Sequence, residues 1–252
     1  MTATEVDPSA ADRRVAIVTG GSGGIGREAA LRLAADGQAV VVAYAGNQAA
    51  ADDTVEAITS TGGVAVAFRA DVADEDDVAA LFDAAELEYG GVDVVVHTAG
   101  IMLLGTVADF DLADLDRMHR TNIRGTFVVN QQAARRVRAG GAIINFSTSV
   151  TKLALPTYAP YAATKGAVDA ISLILAKELR GRDITVNAVA PGPTATALFL
   201  DGKDEATIDR MAKMNPLERL GVPEDIAEMV SFLSGPGRWV NGQTLYVNGG
   251  IA

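Results

Sequence analysis

The feature that most constrains this sequence is the regular alternation of short apolar runs with segments of helical periodicity. Seven runs rich in valine, isoleucine and alanine are predicted to be strands, at residues 14–19, 39–44, 64–70, 91–97, 141–146, 184–189 and 244–247. This alternation predicts an α/β fold: a doubly wound parallel sheet of about seven strands with helices on both faces. We expect one Rossmann-type domain over residues 13–252, a flexible tail at 1–12 and a substrate lid at 197–215.

Helical spacing fills the stretches between these runs. It is predicted at residues 27–36, 50–61, 74–89, 111–138, 158–180 and 223–234. Arg135, Arg136 and Arg138 close the longest of these segments, where cations suit the negative end of a helix dipole. Asn122 lies inside the same segment, where asparagine is mildly unfavourable, so the spacing alone indicates an exposed or locally bonded polar residue.

Composition excludes several classes of function. The 252 residues contain no cysteine, which rules out disulfides, thiolate metal sites and cysteine nucleophiles. The two histidines, His97 and His119, are far apart in sequence and lack partners, so we expect no metal site. A formal net charge of −11 disfavours nonspecific binding to nucleic acid or anionic membranes. Neither a bilayer-spanning run nor a signal-peptide pattern is present, so we expect a cytoplasmic protein.

A glycine-rich turn follows the first predicted strand. It reads Gly20-Gly-Ser22-Gly-Gly24-Ile25-Gly26 and leads directly into a helix. Glycines let the backbone approach a ligand closely, and a helix N-terminus offers free N–H groups and a positive dipole. The turn therefore predicts a dinucleotide phosphate site, although its spacing differs from the commonest G-x-G-x-x-G pattern.

The end of the second strand bears on the choice of coenzyme. In NAD sites an acidic residue near this point hydrogen-bonds the ribose 2′-hydroxyl. Here the strand ends at Tyr44, and no acid lies between it and Asn47. A 2′-phosphate would meet no carboxylate, so NADP(H) is favoured and NAD(H) stays possible. Ser22, Arg27 and Asn47 are the candidates to touch that phosphate, and a solvated Arg27 fits the pattern equally well.

Tyr161 and Lys165 are the candidates for acid–base chemistry. They are four residues apart in a predicted helix, so both side chains lie on one face. A free tyrosine has a pKa of about 10, and a neighbouring ammonium lowers it. Such a pair would form a general acid/base suited to an alcohol or carbonyl oxygen. A packed tyrosine beside a solvated lysine has the same spacing.

Small or polar residues also follow the other predicted strands. They are Asp71, Ala99 with Gly100, the hydroxyls at 147–149, and Pro191 with Gly192. Ligands of doubly wound sheets bind at the carboxyl ends of the strands. We therefore expect these residues to converge with the glycine turn at one edge.

In order and spacing, these motifs resemble the classical short-chain dehydrogenase/reductase family over about residues 13–251, and within it the 3-oxoacyl-carrier-protein-reductase-like and glucose-dehydrogenase-like group. The glycine turn matches the family's nucleotide motif, and Asp71 with Val72 matches its adenine contact. Asn122, Tyr161 and Lys165 match catalytic positions. Further coenzyme contacts are expected from Thr98, Ala99, Gly100, Pro191, Gly192, Thr194 and Thr196.

The catalytic hydroxyl is one departure from the family pattern. Counting thirteen residues back from Tyr161 leads to Thr148. A shift of one residue would bring in Ser147 or Ser149 instead. A threonine can donate the same hydrogen bond as a serine, so we place Thr148 first and Ser149 second.

Two other departures concern the coenzyme half. The usual Asn-Asn-Ala-Gly after the fourth strand is His97-Thr98-Ala99-Gly100 here. The basic residue that NADP-preferring members often carry before the middle glycine is Gly23. The coenzyme prediction therefore depends on the missing acid at Tyr44.

The resemblance implies an NADP(H)-dependent carbonyl reductase or secondary-alcohol dehydrogenase. Tyr161 and the 148-region hydroxyl would bind the carbonyl oxygen, and Tyr161 would transfer the proton. Lys165 would lower the tyrosine pKa and hold the nicotinamide ribose, and Asn122 would hold a relaying water. The alternatives are an NAD-dependent alcohol dehydrogenase, a nucleotide-sensing protein without turnover, and dehydration or epimerisation on the same fold.

The substrate is expected to be a small molecule. The candidate contacts are mostly apolar, which favours a medium-sized ketone or secondary alcohol: Leu153, Leu155, Tyr158, Thr194 and the 197–215 segment. A basic patch at Arg135, Arg136 and Arg182 leaves an acyl-carrier protein open as a partner. A homo-oligomer, tetramer or dimer, is expected by family analogy.

Overall fold

The computed structural model describes residues 13–252, and the predicted tail at 1–12 lies outside them. The strands are β1 (Val15–Thr19), β2 (Ala39–Tyr44), β3 (Val64–Arg69), β4 (Val92–His97), β5 (Val137–Phe146), β6 (Thr185–Pro191) and β7 (Thr244–Val247). All pair in parallel, in the order β3-β2-β1-β4-β5-β6-β7. The predicted doubly wound sheet is therefore confirmed.

Ten α-helices and one π-helical turn connect the strands within the described residues. The helices are α1 (Gly24–Ala35), α2 (Gln48–Thr59), α3 (Glu75–Tyr89), α4 (Leu112–Met118), α5 (Gly125–Arg136), α6 (Val150–Leu153), α7 (Ala159–Glu178), α8 (Ala197–Leu200), α9 (Glu205–Ala212) and α10 (Pro223–Ser234), with the π-turn at His119–Arg124. None of these helices combines the length and apolarity needed to cross a membrane.

Helices cover the sheet on both faces, which is why its strands read as continuous apolar runs. Along β1, Val15 and Ile17 pack toward one layer, whereas Ala16 and Val18 pack toward the other. Helices α3, α5 and α7 contribute to the first layer. Helices α1, α2 and α10 contribute to the second.

The strand order reverses between β1 and β4. At this point Thr19 and His97 are register partners at the carboxyl ends of the two strands. The connections that follow them leave toward opposite sides, which opens a crevice where doubly wound proteins bind ligands.

The segment predicted as helix over 111–138 differs from that prediction. The helix is divided by the π-turn and ends at Arg136, because β5 begins at Val137 rather than at residue 141. Arg138 consequently lies on a strand and not at a helix end. Its guanidinium donates to the Asp93 carboxylate on β4, with Nε at 2.8 Å from Oδ1. This partner is distant in sequence, so local spacing could not reveal it.

The segment at 197–215 is more regular than the sequence suggests, since it contains α8 and α9. Thr196 caps α8 by accepting from the N–H of Phe199, and Asp204 caps α9 by accepting from the N–H of Thr207. The role of this segment as a substrate lid remains a prediction.

Candidate active site

A cavity of about 680 Å³ opens at the point where the strand order reverses. Nearly all predicted site residues line it: Gly20, Ser22, Gly24, Ile25, Gly26, Tyr44, Asp71, Val72, Thr98, Ala99, Gly100, Thr148, Ser149, Tyr161, Lys165, Pro191, Gly192, Thr194 and Thr196. Asn47 and Asn122 are not part of the lining. The convergence expected from the strand ends is thus present in the fold.

The glycine turn requires its glycines for two different reasons. Gly20 and Gly24 have φ values of +70° and +50°, in the left-handed region that favours glycine. A Cβ on Gly26 would lie 2.2 Å from the Gly20 carbonyl oxygen and 2.5 Å from Thr98 Oγ1. No side chain caps α1, so its first N–H groups remain available to a ligand. This close-packed turn fits the pyrophosphate of a dinucleotide.

The end of β2 carries no carboxylate. Tyr44, Ala45 and Gly46 line the cavity there. Asn47 instead uses its Oδ1 to accept the Ala50 N–H at 3.1 Å, which caps α2. Arg27 pairs with Glu28 at 2.5 Å and lies outside the lining. Of the three side chains predicted to touch a 2′-phosphate, only Ser22 lines the cavity.

Asp71 is held in place at the end of β3. Its Oδ1 accepts the N–H of Ala73 at 2.9 Å, and its Oδ2 pairs with Arg120 at 2.8 Å. Partial burial opposes ionisation, but the Ala73 N–H and Arg120 together hold the pKa of Asp71 below its usual value. Asp71 and Arg120 thus form a half-exposed ion pair at the edge of the cavity that follows β3.

Asn122 is fully buried in the π-turn, whereas helical spacing alone indicates an exposed or locally bonded polar residue. Its Oδ1 accepts the Ile101 N–H at 2.9 Å, and its Nδ2 donates to the Ile101 carbonyl at 2.8 Å and to Thr164 Oγ1 at 3.1 Å. Both amide protons are therefore engaged. The side chain ties the loop after β4 to α7, one residue before Lys165.

Tyr161 and Lys165 lie on one face of α7, both buried. Lys165 Nζ donates to the Phe146 carbonyl at 2.8 Å and lies 5.8 Å from the centroid of the Tyr161 ring. Burial lowers the pKa of Lys165 to about 8, although the Asp169 carboxylate acts in the opposite direction. Most of the Lys165 side chains are still protonated at neutral pH.

The pKa of Tyr161 moves against the expectation from its spacing to Lys165. Burial, with a smaller contribution from Tyr158, raises the pKa of Tyr161 above its usual value. Desolvation of the phenolate therefore dominates the pKa of Tyr161 in this structure. The spacing correctly brought the two residues together but did not reveal their burial.

The three candidate hydroxyls differ in what they bond. Ser149 Oγ donates to the Ala190 carbonyl at 3.2 Å and accepts from Asn248 Nδ2 at 3.1 Å. The Ser147 hydroxyl is buried without a partner within the described residues. Thr148 lines the cavity, and its Oγ1 accepts only the Val150 N–H, at 3.3 Å. Thr148 therefore keeps a proton to donate, which favours it over Ser149 as the catalytic hydroxyl.

The segment after β6 forms the far wall. A Cβ on Gly192 would lie 2.8 Å from the Asn248 backbone, so this turn also packs closely. Thr194 is buried and bridges to Gly221. Its hydroxyl donates to the Gly192 carbonyl at 2.9 Å, which fixes the turn that leads to Thr196.

Comparison with known proteins identifies the family. Residues 20–252 match a family model described as enoyl-(acyl carrier protein) reductase. A short-chain type dehydrogenase/reductase from Picea abies is 46% identical over 248 residues, covering 94% of this chain and 92% of that protein. The chain belongs to the short-chain dehydrogenase/reductase family.

Two further members illustrate how closely the family members agree. An NADPH-dependent aldehyde reductase-like protein, chloroplastic, from Arabidopsis thaliana is 40% identical over 252 residues, covering 94% of this chain and 93% of that protein. The crystal structure of a short-chain dehydrogenase from Burkholderia cenocepacia in complex with NADP has a TM-score of 0.89 at 36% identity, covering 95% of this chain and 97% of that one. The predicted family and its oxidoreductase class are confirmed.

Sequence reasoning missed one charged residue of the cavity, Arg120. It lies in the π-turn two residues before Asn122 and reaches Asp71 at the end of β3. The sequence offered no signal for it, because a regular helix over 111–138 gives no reason to turn this side chain toward β3.

The part of the cavity around Tyr158 and Tyr161 is apolar. Ile101, Met102 and Val150 line it and were not singled out from sequence. The predicted contacts join them, namely Leu153, Leu155, Tyr158 and, from the 197–215 segment, Leu198, Phe199 and Met211. Among the described lining residues, the charged ones are Asp71, Arg120 and Lys165, and the first two form an ion pair with each other.

Proposed function

We propose that the chain is an NADP(H)-dependent carbonyl reductase that acts on uncharged, largely apolar ketones or aldehydes. The observation that carries this proposal is one cavity that joins the glycine turn to Tyr161, Lys165 and Thr148. The residues at one end suit a dinucleotide, and those at the other suit proton donation to a carbonyl oxygen.

NADP(H) is supported by the carboxylate-free end of β2. Tyr44, Ala45 and Gly46 line the cavity where an acid would select the ribose 2′-hydroxyl of NAD. The names of similar proteins point the same way, since the Burkholderia cenocepacia structure holds NADP and the Arabidopsis thaliana relative is called NADPH-dependent. Of the three candidates, Ser22 in the glycine turn is the one whose side chain lines the cavity, and we assign it to the 2′-phosphate.

The acid–base chemistry is assigned to Tyr161. The raised pKa keeps its phenol protonated at neutral pH, which is the state that gives a proton to a carbonyl oxygen. The Thr148 hydroxyl donates the second hydrogen bond to the same oxygen. The bound nicotinamide supplies the hydride. Reduction starts from this protonated phenol, whereas alcohol oxidation would start from the phenolate.

Lys165 holds and electrostatically assists these groups. One of its protons is fixed by the Phe146 carbonyl, which leaves two for the nicotinamide ribose. Its positive charge stabilises the phenolate that remains after Tyr161 has given up its proton. Asn122 keeps the loop at Ile101 and the helix at Thr164 in a fixed relation around it.

The apolar substrate end supports an uncharged substrate. A carboxylate or phosphate placed against Met102 and Met211 would lose its hydration to apolar side chains. Lys203, whose Nζ lies 4.7 Å from the centroid of the Phe199 ring, is outside the cavity lining. The pocket therefore suits ketones and aldehydes of medium size over keto acids. The acyl-carrier partner left open by the basic patch gains no support from this lining.

Two further parts of the proposal concern assembly and location. Phe127 on α5 and Ile174 on α7 expose more than half of their surface, which is compatible with a homo-oligomer, tetramer or dimer. Light scattering on the purified protein tests this. A cytoplasmic location also stays a prediction, while the similar Arabidopsis thaliana protein is described as chloroplastic.

The test is a titration of the purified protein with NADPH and with NADH, followed by nicotinamide fluorescence. We expect NADPH to bind at least about tenfold more tightly, and to be oxidised in the presence of an aromatic ketone but not of a matched keto acid. Tighter binding of NADH would indicate the NAD-dependent alternative. Binding without turnover of any carbonyl would indicate a nucleotide sensor.

A matched pair of variants isolates the coenzyme argument. Ala45→Asp places a carboxylate on an exposed residue of the cavity lining, and Ala45→Asn has nearly the same shape without the charge. We expect the aspartate to weaken NADPH about tenfold or more and the asparagine to change it little. Equal effects of both variants would contradict the electrostatic explanation.

A further inference from the structure

His97 is a buried, titratable side chain at the centre of the molecule, where the family usually carries asparagine. It ends β4 and is 2% exposed. Its Nδ1 lies 2.8 Å from Thr19 Oγ1, at the end of β1, and its Nε2 lies 3.0 Å from Thr126 Oγ1, on α5. The imidazole thus bridges two hydroxyls that belong to opposite sides of the cavity floor.

The proton on this imidazole can be located from its neighbours. Thr126 Oγ1 donates to the Asn122 carbonyl at 2.6 Å, and a hydroxyl has one proton to give. Toward His97, Thr126 can therefore only accept. The imidazole must carry its proton on Nε2.

The direction of the remaining bonds follows. A neutral imidazole with its proton on Nε2 accepts at Nδ1, so Thr19 donates its hydroxyl proton to His97. Thr19 Oγ1 is then free to accept from the Ala99 N–H, which lies at 3.4 Å. The chain of bonds runs from Ala99 through Thr19, His97 and Thr126 to the Asn122 carbonyl, every donor meeting an acceptor.

A second proton on His97 would break this chain, because Nδ1–H and the Thr19 hydroxyl proton would face each other. Burial, together with the positive charge of Lys165, lowers the pKa of His97 to about 3. The neutral form therefore persists across the physiological range.

The two ends of this chain of hydrogen bonds lie beside different parts of the cavity. Thr19 and Ala99 border the glycine turn, since a Cβ on Gly20 would lie 3.0 Å from the Ala99 nitrogen. The other end is the π-turn, where Asn122 holds Ile101 and Thr164 beside Lys165. π-turns are often found at functional sites and need such support, because they interrupt the regular helix bonding.

We propose that His97 is a positioning residue of the reductase: as a neutral imidazole protonated on Nε2, it fixes the Asn122 turn relative to the coenzyme turn through Thr126 and Thr19. This inference depends on the proposed function. His97 itself lies outside the cavity lining.

The first test reads the imidazole directly. The protein has two histidines, so labelling with ¹⁵N-histidine gives two pairs of ring-nitrogen signals, and His119→Asn assigns them. We expect the His97 ring to be neutral, protonated on Nε2 and unchanged between about pH 5 and 8. Titration of His97 in this range, or a proton on Nδ1, would overturn the proposal. This measurement needs no activity, so it remains decisive even if wild-type protein fails to reduce any carbonyl.

The second test breaks one link at a time. Thr126→Val removes the hydroxyl while keeping the branched shape, and Thr126→Ser keeps the hydroxyl. We expect the valine variant to lose about tenfold in kcat, with its NADPH dissociation constant changed less than about twofold, and the serine variant to retain most of kcat. Equal kcat for valine variant and wild type would overturn the positioning role.

Two substitutions of His97 distinguish its hydrogen bond to Thr19 from its hydrogen bond to Thr126. An asparagine amide reaches about as far as Nδ1, and a glutamine amide about as far as Nε2. His97→Gln should therefore keep more of kcat than His97→Asn, because only the former reaches Thr126. The reverse order would show that the bond to Thr126 is not the one that matters for kcat, which would contradict the proposal, and thermal unfolding of both variants separates this result from a loss of folding.

Discussion

The two rims of the cavity are built in different ways. The glycine turn presents backbone to the ligand, and its shape is enforced by contacts so close that a Cβ at Gly26 has no room. The opposite rim, at 197–215, presents side chains from two short helices, each fixed by one capping residue. On that rim Leu198 is half exposed.

This difference separates what the family shares from what an individual member recognises. A backbone-built rim restricts the shape of the ligand through close contacts that no side chain can replace. A rim built from Leu198, Phe199 and Met211 can change its pocket by single substitutions without changing the fold. We therefore expect damage at the first rim to affect folding and coenzyme together, and damage at the second to affect substrate alone.

The largest expected effect is at the glycine turn. Gly26→Ala places a methyl group 2.2 Å from the Gly20 carbonyl oxygen, so we expect a loss of about 3 kcal/mol or more in unfolding free energy and loss of NADPH binding. Gly166→Ala is the control, because its Cβ would meet no atom within 4 Å on exposed α7 surface. It should gain about 0.5–1 kcal/mol. Denaturant unfolding checks both, and a stable Gly26→Ala protein that binds NADPH would remove the contrast between the rims.

Lys165 lies between the two rims, and its buried ammonium should lower the free energy of unfolding although the site needs its charge. The shift of its pKa from 10.5 to about 8 corresponds to about 3 kcal/mol at pH 7, reduced by roughly 1 kcal/mol for its bond to Phe146. We therefore expect Lys165→Met to unfold at higher denaturant than wild type and to be inactive.

The stability difference between Lys165→Met and wild type should depend on pH. A lysine with a lowered folded-state pKa costs nothing above its unfolded pKa of 10.5, and its cost grows as pH falls toward 8. The advantage of Lys165→Met should accordingly be constant below about pH 8 and shrink between about pH 8 and 10.5. A variant less stable than wild type at pH 7 would contradict the account of Lys165.

At the side-chain rim, Phe199→Ala should change substrate binding only. Removing one large apolar contact is worth about 1–3 kcal/mol, so we expect KM for an aromatic ketone to rise about tenfold while NADPH affinity stays the same. Leu87→Ala, a substitution at a fully exposed leucine on α3, is the control. A matching loss of NADPH affinity in Phe199→Ala would show that the two rims are not independent.

The smallest effect is expected at the ion pair behind the side-chain rim. Arg219 meets Asp225 at 2.6 and 2.9 Å, but both groups face solvent, where such pairs contribute little. Arg219→Gln should change Tm by less than about 3 °C. The more buried Arg136, which holds Glu86 and Asp83 on α3, should lose more when changed to glutamine. Equal losses would argue against burial as the deciding factor.

The fold was predictable because its signals are local. Each strand of a sheet buried on both faces is a continuous apolar run, and Gly20 and Gly26 mark a turn that must pack closely. The boundary at Val137 was not predictable, because Arg135 and Arg136 look like a helix end while the ion pair that holds Arg138 on β5 involves Asp93, distant in sequence. A strand start decided by such a partner leaves no local pattern.

The site was predictable to the extent that it depends on spacing. The four-residue interval brought Tyr161 and Lys165 to one face, and the strand ends brought the loops together. Burial is a property of the assembled molecule, so spacing missed the raised pKa of Tyr161 and the buried position of Asn122. The roles of these residues in catalysis stay predictions.

The most direct test of the account is the effect of Tyr161→Phe, which removes one oxygen atom from the centre of the site. Reduction of an aromatic ketone by NADPH would be measured alongside NADPH binding for the variant and wild type. We predict a loss of at least about 10²-fold in kcat, the usual contribution of a general acid, with NADPH affinity nearly unchanged. A variant that turns over at close to the wild-type rate would show that Tyr161 does not donate the proton.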